Sequence, residues 1–319
     1  MSDPVNTPGP VSGPDATAES LVEQADLWGN AWKYLRRSGF FITGSILLTI
    51  LVLMALAPQL FTFGKDPRAC DLYQARKGIS AAHWLGTDLQ GCDYYANVVY
   101  GARVSLTIGL IAMVGVLIIG VIVGALAGYF GGIADSALSR LTDVFYGIPT
   151  ILGGMILLSV VGHRTVWSVA GALIAFGWMT SMRLVRSSVM SIKQSDYVQA
   201  AIALGAPTWR ILLRHILPNA LAPVLVYATI AVGSFIAAEA TLTYMGIGLE
   251  LPEISWGLQI NDGQSRFAST PRLVIVPALF LSAAVLGFIM VGDALRDALD
   301  PGEGRWRCPQ VIPWSTSRA

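Results

Sequence analysis

The side chains best able to do chemistry in this chain of 319 residues are few and scattered. Its three histidines, His83, His163 and His215, stand far apart in stretches that read as loops, and no His-Glu-x-x-His pair is present to hold a metal. No Gly-x-Ser-x-Gly turn offers a nucleophile, and no Gly-x-x-x-x-Gly-Lys-Ser/Thr loop cradles nucleotide phosphates. The chain is therefore expected to be no enzyme and to bind no metal or cofactor. Two carboxylates fall inside or at the edge of apolar runs, Asp143 and Glu239, where burial of a charge is costly and function is the first suspicion. A proton relay needs several linked groups, which two isolated carboxylates do not supply. They read instead as candidates to border a translocation pathway, with Glu239 partnered from a neighbouring helix and Asp143 paired to Arg140.

Cys70 and Cys92 share one long loop, while Cys308 lies alone near the C-terminus. If that loop is outside the cytoplasm, oxidising conditions permit a Cys70–Cys92 bridge. Closing a loop of this size is worth roughly 3 kcal/mol in the chain-entropy model. The alternative is two free thiols, and alkylation of both in non-reduced protein would reveal it.

The elements that position these residues follow from composition. An apolar share of 54% with 13% charged residues and a mean hydropathy of +0.60 do not fit a water-soluble domain, whose charged share is about 25%. The expected fold is all-α and polytopic, since a helix spans a bilayer with about 20 apolar residues. Six spans are expected, near Phe40–Ala57, Ser105–Tyr129, Asp143–Val161, Val166–Val185, Ala220–Met245 and Leu273–Val291. Gly120, Gly124 and Gly128 recur every fourth residue, so one face of the second span is nearly bare backbone on which another helix can pack closely. Pro149 and Pro277 are expected to bend the third and sixth spans.

Orientation follows the excess of basic residues on the cytoplasmic side. Lys33, Arg36 and Arg37 precede the first span, and Arg183, Arg186, Lys193, Arg210 and Arg214 crowd the region between the fourth and fifth. Arg296, Arg305 and Arg307 follow the sixth. With six spans both termini and the basic loop share the cytoplasmic face. Four units are expected: 1–31 a disordered cytoplasmic tail, 32–103 the first span and an extracytoplasmic loop, 104–301 the transmembrane core with a loop at 190–217, and 302–319 a second cytoplasmic tail. The first 25 residues, rich in proline and acidic charge, do not resemble a secretory signal.

Within the basic loop, Tyr197–Asn219 has a pattern of its own. Gln199 is followed by Ala200, Ala201 and Ala203, small helix formers that leave a low-relief surface. Gly205 and Pro207 punctuate that helix. A second amphipathic piece follows, with Trp209, Ile211, Leu212, Leu213 and Ile216 apolar and Arg210, Arg214 and His215 polar, and Leu217-Pro218 is expected to end it. Such an element suits docking of a partner protein, although an amphipathic helix lying on the bilayer is the plainer reading.

This stretch resembles the alanine-glycine loop of ABC importer permeases, and further passages extend the resemblance. His83-Trp-Leu-Gly-Thr-Asp88 with Val99-Tyr-Gly-Ala-Arg-Val-Ser-Leu106, Arg140-Leu-Thr-Asp143 through Pro149, Glu239 through Gly248, Ser255-Trp-Gly257 and Gly292 through Pro301 are similar, in order, to oligopeptide and dipeptide importer permeases, in particular their second, C-type subunit. The resemblance covers about residues 32–301 and implies the type I permease fold, with six transmembrane helices and cytoplasmic coupling helices. It implies that Gln199, Ala200, Ala201, Gly205, Arg210, Arg214 and His215 contact an ATPase. It also implies a second, homologous permease, two cytoplasmic ATPases carrying ATP and Mg, an extracytoplasmic solute-binding protein, a peptide substrate and a place in the cytoplasmic membrane, with no nucleic acid. Relatives of this group also carry nickel or other solutes, and an ion-driven secondary transporter is the remaining alternative. The family's usual glutamate is Gln199 here, which keeps length and an acceptor but loses charge.

Overall fold

The computed structural model describes residues 27–299, which form helices and connecting loops with one isolated bridge between Thr87 and Asp93. In chain order the helices are α1 (Leu27–Leu35), α2 (Gly39–Leu56), α3 (Pro58–Phe61), α4 (Tyr94–Phe130), α5 (Gly132–Tyr146), α6 (Thr150–Val161), α7 (Val166–Lys193), α8 (Asp196–Ala203), α9 (Thr208–Tyr244), α10 (Trp256–Gln264) and α11 (Arg272–Leu299). Five of them are long and apolar enough to cross a membrane, and α5 with α6 makes a sixth if the bent pair is one span. Local chemistry sets their starts: Ser38, Asp93 and Ser255 accept a hydrogen bond from a backbone N–H in the first turn, and Thr165 forms a reciprocal capping box with Ser168.

The core of the bundle is the long contact between α4 and α7, with α9 laid across both, α11 packed on α9, and α2 packed on α11 and α4. Ile108, Met113, Leu173, Met182, Ile236 and Leu242 fill it and are almost fully buried. Gly120, Gly124 and Gly128 set the approach of α4 to α7. A Cβ at Gly124 would stand 2.6 Å from the Met182 carbonyl, and one at Gly128 2.8 Å from the Arg186 carbonyl. At Gly120 the collision would be with the Ser181 side chain. Ser181, which dilutes the apolar character of α7, is thus hidden inside the bundle beside glycine. Meanwhile Ile46 and Leu53 on α2, Leu110, Val114, Ile118 and Ile122 on α4, and Leu279 and Leu286 on α11 face outward, as hydrocarbon surroundings require.

Several expectations need correction. The third span is not one bent helix from Asp143: α5 and α6 meet at 82° across Gly147-Ile148-Pro149, and Pro149 caps α6. A proline that lacks an N–H and forces its predecessor out of the α region ends a helix as readily as it bends one. Pro277 lies inside α11 and Pro223 inside α9, neither of them breaking its helix, which leaves the expected bend of the sixth span compatible with a continuous element. The second span begins eleven residues earlier than expected, at Tyr94, because polar side chains in its first turns are buried against α10 and the 57–93 segment rather than in lipid. At the N-terminus α1 begins at Leu27, before the expected tail boundary at 31, and buries Ala31 and Leu35 against the rest of the bundle. The tail residues 1–26 and 300–319, with Cys308, lie outside the described residues.

Candidate functional site

At one end of the bundle, α8 and the first turns of α9 form a helical hairpin between the long helices α7 and α9. Its inner side is apolar: Val198, Ile211 and Ile216 are buried with Val185, Val189, Ala220 and Val224. Burial of this kind, about 25 cal/mol per Å² of apolar surface, binds the hairpin to the helices that carry it. Its outer side is unusually apolar for an exposed surface. Leu204 is 88% exposed at the tip and Trp209 62%, with Tyr197, Ile202 and Leu213 also exposed.

The backbone at the tip depends on Gly205, whose φ of +76° is open to glycine and strained for β-branched residues. Among the described residues nothing lies within 4 Å of where its Cβ would be, so the constraint is conformational and not steric. Gln199, Ala200, Arg210 and Arg214 are exposed, while Ala201 and His215 are half-buried. The structure therefore brings all seven sequence-derived candidates onto one hairpin. Two of them also serve its frame. Gln199 Nε2 donates to the Lys193 carbonyl at 2.8 Å, tying α8 to the end of α7, and the His215 carbonyl accepts from Asn219 Nδ2 at 2.8 Å. Lys193 Nζ in turn donates to the Tyr129 carbonyl at 2.6 Å and so anchors the end of α4.

Leu217-Pro218 does not end the second piece, contrary to expectation. The helix runs on through a π-helical turn at Ile211–Ile216, in which the Leu217 N–H reaches the Leu212 carbonyl five residues back. A π turn shifts the hydrogen-bond ladder by one residue, which lets a proline without a donor enter an unbroken helix. Such turns have no composition signal of their own.

Two arginine–aspartate pairs secure α5 beside the same end of α7. Arg186 contacts both oxygens of Asp135, with 2.6 Å from Nη2 to Oδ2, and Arg183 Nη2 donates to Asp143 Oδ1 at 2.8 Å. Asp143 therefore has Arg183 as its near partner, with Arg140 at 3.7 Å. Arg183 also covers the Tyr146 ring at 4.3 Å.

The opposite end holds the remaining candidates. Glu239 has no exposed surface, so in this conformation it is a network residue and not part of an open pathway wall. Its two oxygens accept from Ser105 of α4 at 3.2 Å and from Thr243 at 3.0 Å. Ser105 Oγ accepts from the Trp256 N–H and Thr243 Oγ1 from the Leu249 N–H, so the carboxylate joins α4, α9 and the entry to α10. Cys70 and Cys92 are joined by a disulfide with Cα atoms 4.1 Å apart. The 57–93 segment it staples is folded about Asp88 and Asp93. Burial opposes ionisation of Asp93, but hydrogen bonds from Lys65, the Ala96 N–H and His83 outweigh it and hold the carboxyl below its ordinary value. Among the described residues no group of three or more His, Cys, Asp or Glu is placed to hold a metal.

Residues 120–305 match the family described as binding-protein-dependent transport system inner membrane component, and residues 26–75 match the N-terminal TM domain of oligopeptide transport permease C. A dipeptide transport system permease protein from Alkalihalophilus pseudofirmus is 37% identical over 301 residues, covering 93% of this chain and 96% of the relative. An oligopeptide transport system permease protein from Bacillus subtilis is 36% identical over 299 residues, covering 93% and 97%. A glutathione transport system permease protein from Pectobacterium atrosepticum is 32% identical over 274 residues, covering 86% and 91%. Among solved structures, a chain of the inward-facing MetNI methionine ABC transporter aligns with a TM-score of 0.52 at 19% identity, covering 64% of this chain and 97% of that one.

Proposed function

The chain belongs to the binding-protein-dependent transport system inner membrane component family, and from that premise we propose that it is a permease subunit of an ATP-driven importer of di- and oligopeptides. The chain forms half of a translocation pathway, and a second, homologous permease forms the other half. Two cytoplasmic ATPases bind ATP and Mg, and an extracytoplasmic solute-binding protein delivers the peptide. Both termini and the α8–α9 hairpin are cytoplasmic, and the 57–93 segment is extracytoplasmic, in a cytoplasmic membrane. The chain divides into a cytoplasmic N-terminal tail, a first span with α1 and an extracytoplasmic loop, a transmembrane core at 104–301 with the coupling loop at 190–217, and a cytoplasmic tail at 302–319.

One observation carries the coupling role: an apolar tip, Leu204 and Trp209, stands exposed on a hairpin whose underside is packed into the bundle. An exposed apolar patch on a rigid mount supports a protein contact. A push on the tip is transmitted to α7 through the buried valines and the Gln199 bond, and to α9 through an unbroken backbone. Closure of the ATPases then moves the hairpin as a body and tilts both helices, exchanging inward- for outward-facing states. Gln199, Ala200, Ala201, Gly205, Arg210, Arg214 and His215 form or frame the contact surface. Peptide specificity is supported by the dipeptide, oligopeptide and glutathione permeases among the relatives.

Gly205→Val tests this reading. A β-branched residue at φ +76° costs on the order of 1–3 kcal/mol of local strain, which distorts the tip and leaves the buried underside in place. The expected result is assembled transporter in which ATP hydrolysis no longer drives peptide uptake, or one that fails to retain its ATPases. Unchanged uptake refutes the coupling role.

A further inference from the structure

Of the 18 residues of α2 only Gly44, Leu51 and Met54 are buried, and none is charged, so most of its circumference is presented to hydrocarbon. A helix of this length measures about 27 Å, close to the hydrocarbon thickness of about 30 Å. With Arg36 and Arg37 at the cytoplasmic entry, Leu56 at the far end stands at the opposite boundary of the bilayer. The uncharged run does not stop there, because the first charged residue beyond Leu56 is Lys65.

Leu56 is 73% exposed, Leu60 of α3 76% and Phe63 74%, an outlay of apolar surface that water would penalise. Phe63 also holds a φ of +53°, a left-handed conformation unfavourable for so bulky a residue. Its ring stays outside the protein and meets Trp84 edge to face, with centroids 5.6 Å apart. Trp84, itself half exposed, comes from the body of the 57–93 segment and leans on Tyr95 at the start of α4, at 5.4 Å. Tyr95 Oη donates to the Phe61 carbonyl at 3.2 Å, which ties this row of rings to α3. The nearest charges are spent on one another: Lys65 Nζ donates to Asp93 Oδ2 at 2.7 Å, and His83 Nδ1 lies 3.0 Å from the same oxygen.

We infer that Leu56, Leu60, Phe63 and Trp84 seat the 57–93 segment on the bilayer, in the outer leaflet of the proposed topology, so that this edge of the segment lies in the membrane surface and not clear of it in water. An exposed apolar patch marks a protein or a membrane contact. Here the occupant is lipid, because the patch continues the lipid-facing surface of α2 with no charge between them. Ile46, Ile50, Leu53 and Leu56, three or four residues apart, form one outward row that ends at the patch. Tryptophan and tyrosine at its rim suit the depth where apolar chains meet headgroups. The hold passes inward: beside Trp84, His83 reaches Asp93, whose Oδ1 accepts from the Ala96 N–H and caps α4. The leaflet thus steadies the start of the helix that makes the core of the bundle. The inference stands on the membrane span of α2 and is independent of the solute transported.

Two variants of the full-length chain, Leu60→Cys and Tyr73→Cys, each made with Cys308→Ser so that only the introduced thiol is free, test it when labelled with bimane in lipid nanodiscs. Phospholipid carrying a nitroxide high in its acyl chain is expected to quench the label at 60 about twofold or more strongly than the label at 73, which faces water. Both substitutions alter only exposed side chains, so the comparison survives without refolding. Quenching at 60 no stronger than at 73 overturns the proposal. For Trp84 the native chain supplies the reading: a phospholipid with a photoactivatable diazirine at the same depth is expected to mark residue 84 together with the 56–63 stretch and to leave 72–73 unmarked. No mark at 84 overturns the seating of the segment. In the assembled transporter the label at 60 is expected to remain quenched by lipid. Loss of that quenching when the second permease or the solute-binding protein joins overturns the proposal in favour of a protein occupant.

Discussion

Gln199 stands where the resemblance to importer permeases implies a glutamate, and its amide is used as a donor, Nε2 to the Lys193 carbonyl. A carboxylate cannot donate there and would face a carbonyl oxygen instead. Gln199→Glu is therefore expected to lose about 1 kcal/mol, read as a lower thermal midpoint of the detergent-solubilised chain. Gln199→Met, similar in length but without a donor, should lose a similar amount. Native stability in both would show that the bond contributes nothing. From sequence alone Gln199 was legible as a departure in charge, but its partner was not, because a contact from α8 back to the end of α7 depends on how the 194–195 turn folds. Asp143 teaches the same lesson. Arg140, one helical turn away, is the neighbour a linear reading finds, yet Arg183, 40 positions on, is nearer.

At the scale of elements, the pairing of α4 with α7 was half-written in the chain. Three glycines at a four-residue repeat announce a bare helix face. They do not say which helix fills it. Gly124→Ala places a methyl 2.6 Å from the Met182 carbonyl and is expected to destabilise the bundle by about 1–3 kcal/mol through overpacking. Gly171→Ala, on α7 with nothing within 4 Å of the added carbon, provides the contrast and should leave the midpoint equal or slightly higher. Equal losses in the two variants would mean that the close approach is not what the glycines supply. The break between α5 and α6 and the π turn in α9 lay beyond pattern reading for one shared reason. A proline permits a break, a kink or a continuous helix, and neighbours decide among them: Pro149 gives the first, while Pro223 and Pro277 sit within unbroken helices.

For the whole molecule, the two ends are chemically distinct. One carries the exposed apolar hairpin with Arg210 and Arg214, and the other a disulfide-stapled segment with an acidic cavity. The proposed topology puts the first in the cytoplasm and the second outside. Tyr73→Cys, at a site 94% exposed, should react with a membrane-impermeant maleimide in intact cells, whereas Leu204→Cys, at a site 88% exposed, should react only after permeabilisation. Prompt labelling of Leu204→Cys in intact cells would invert the assignment.

The linear chain by itself determined the helical membrane class, the approximate place of five spans and the turn at Gly205 between two helical pieces. These depend on local quantities: apolar run length, small-residue spacing, and turn residues that act on their own backbone. Only the tertiary structure decided that Glu239 is sealed into a network with Ser105, Thr243 and the start of α10. It alone gathered Asp88, Gln259 and Asp262 around one cavity. Asp88 is more than 150 positions from the other two, and only the docking of α10 against α4 brings them together. Burial and the crowding of like charges are properties of that meeting and of no single segment.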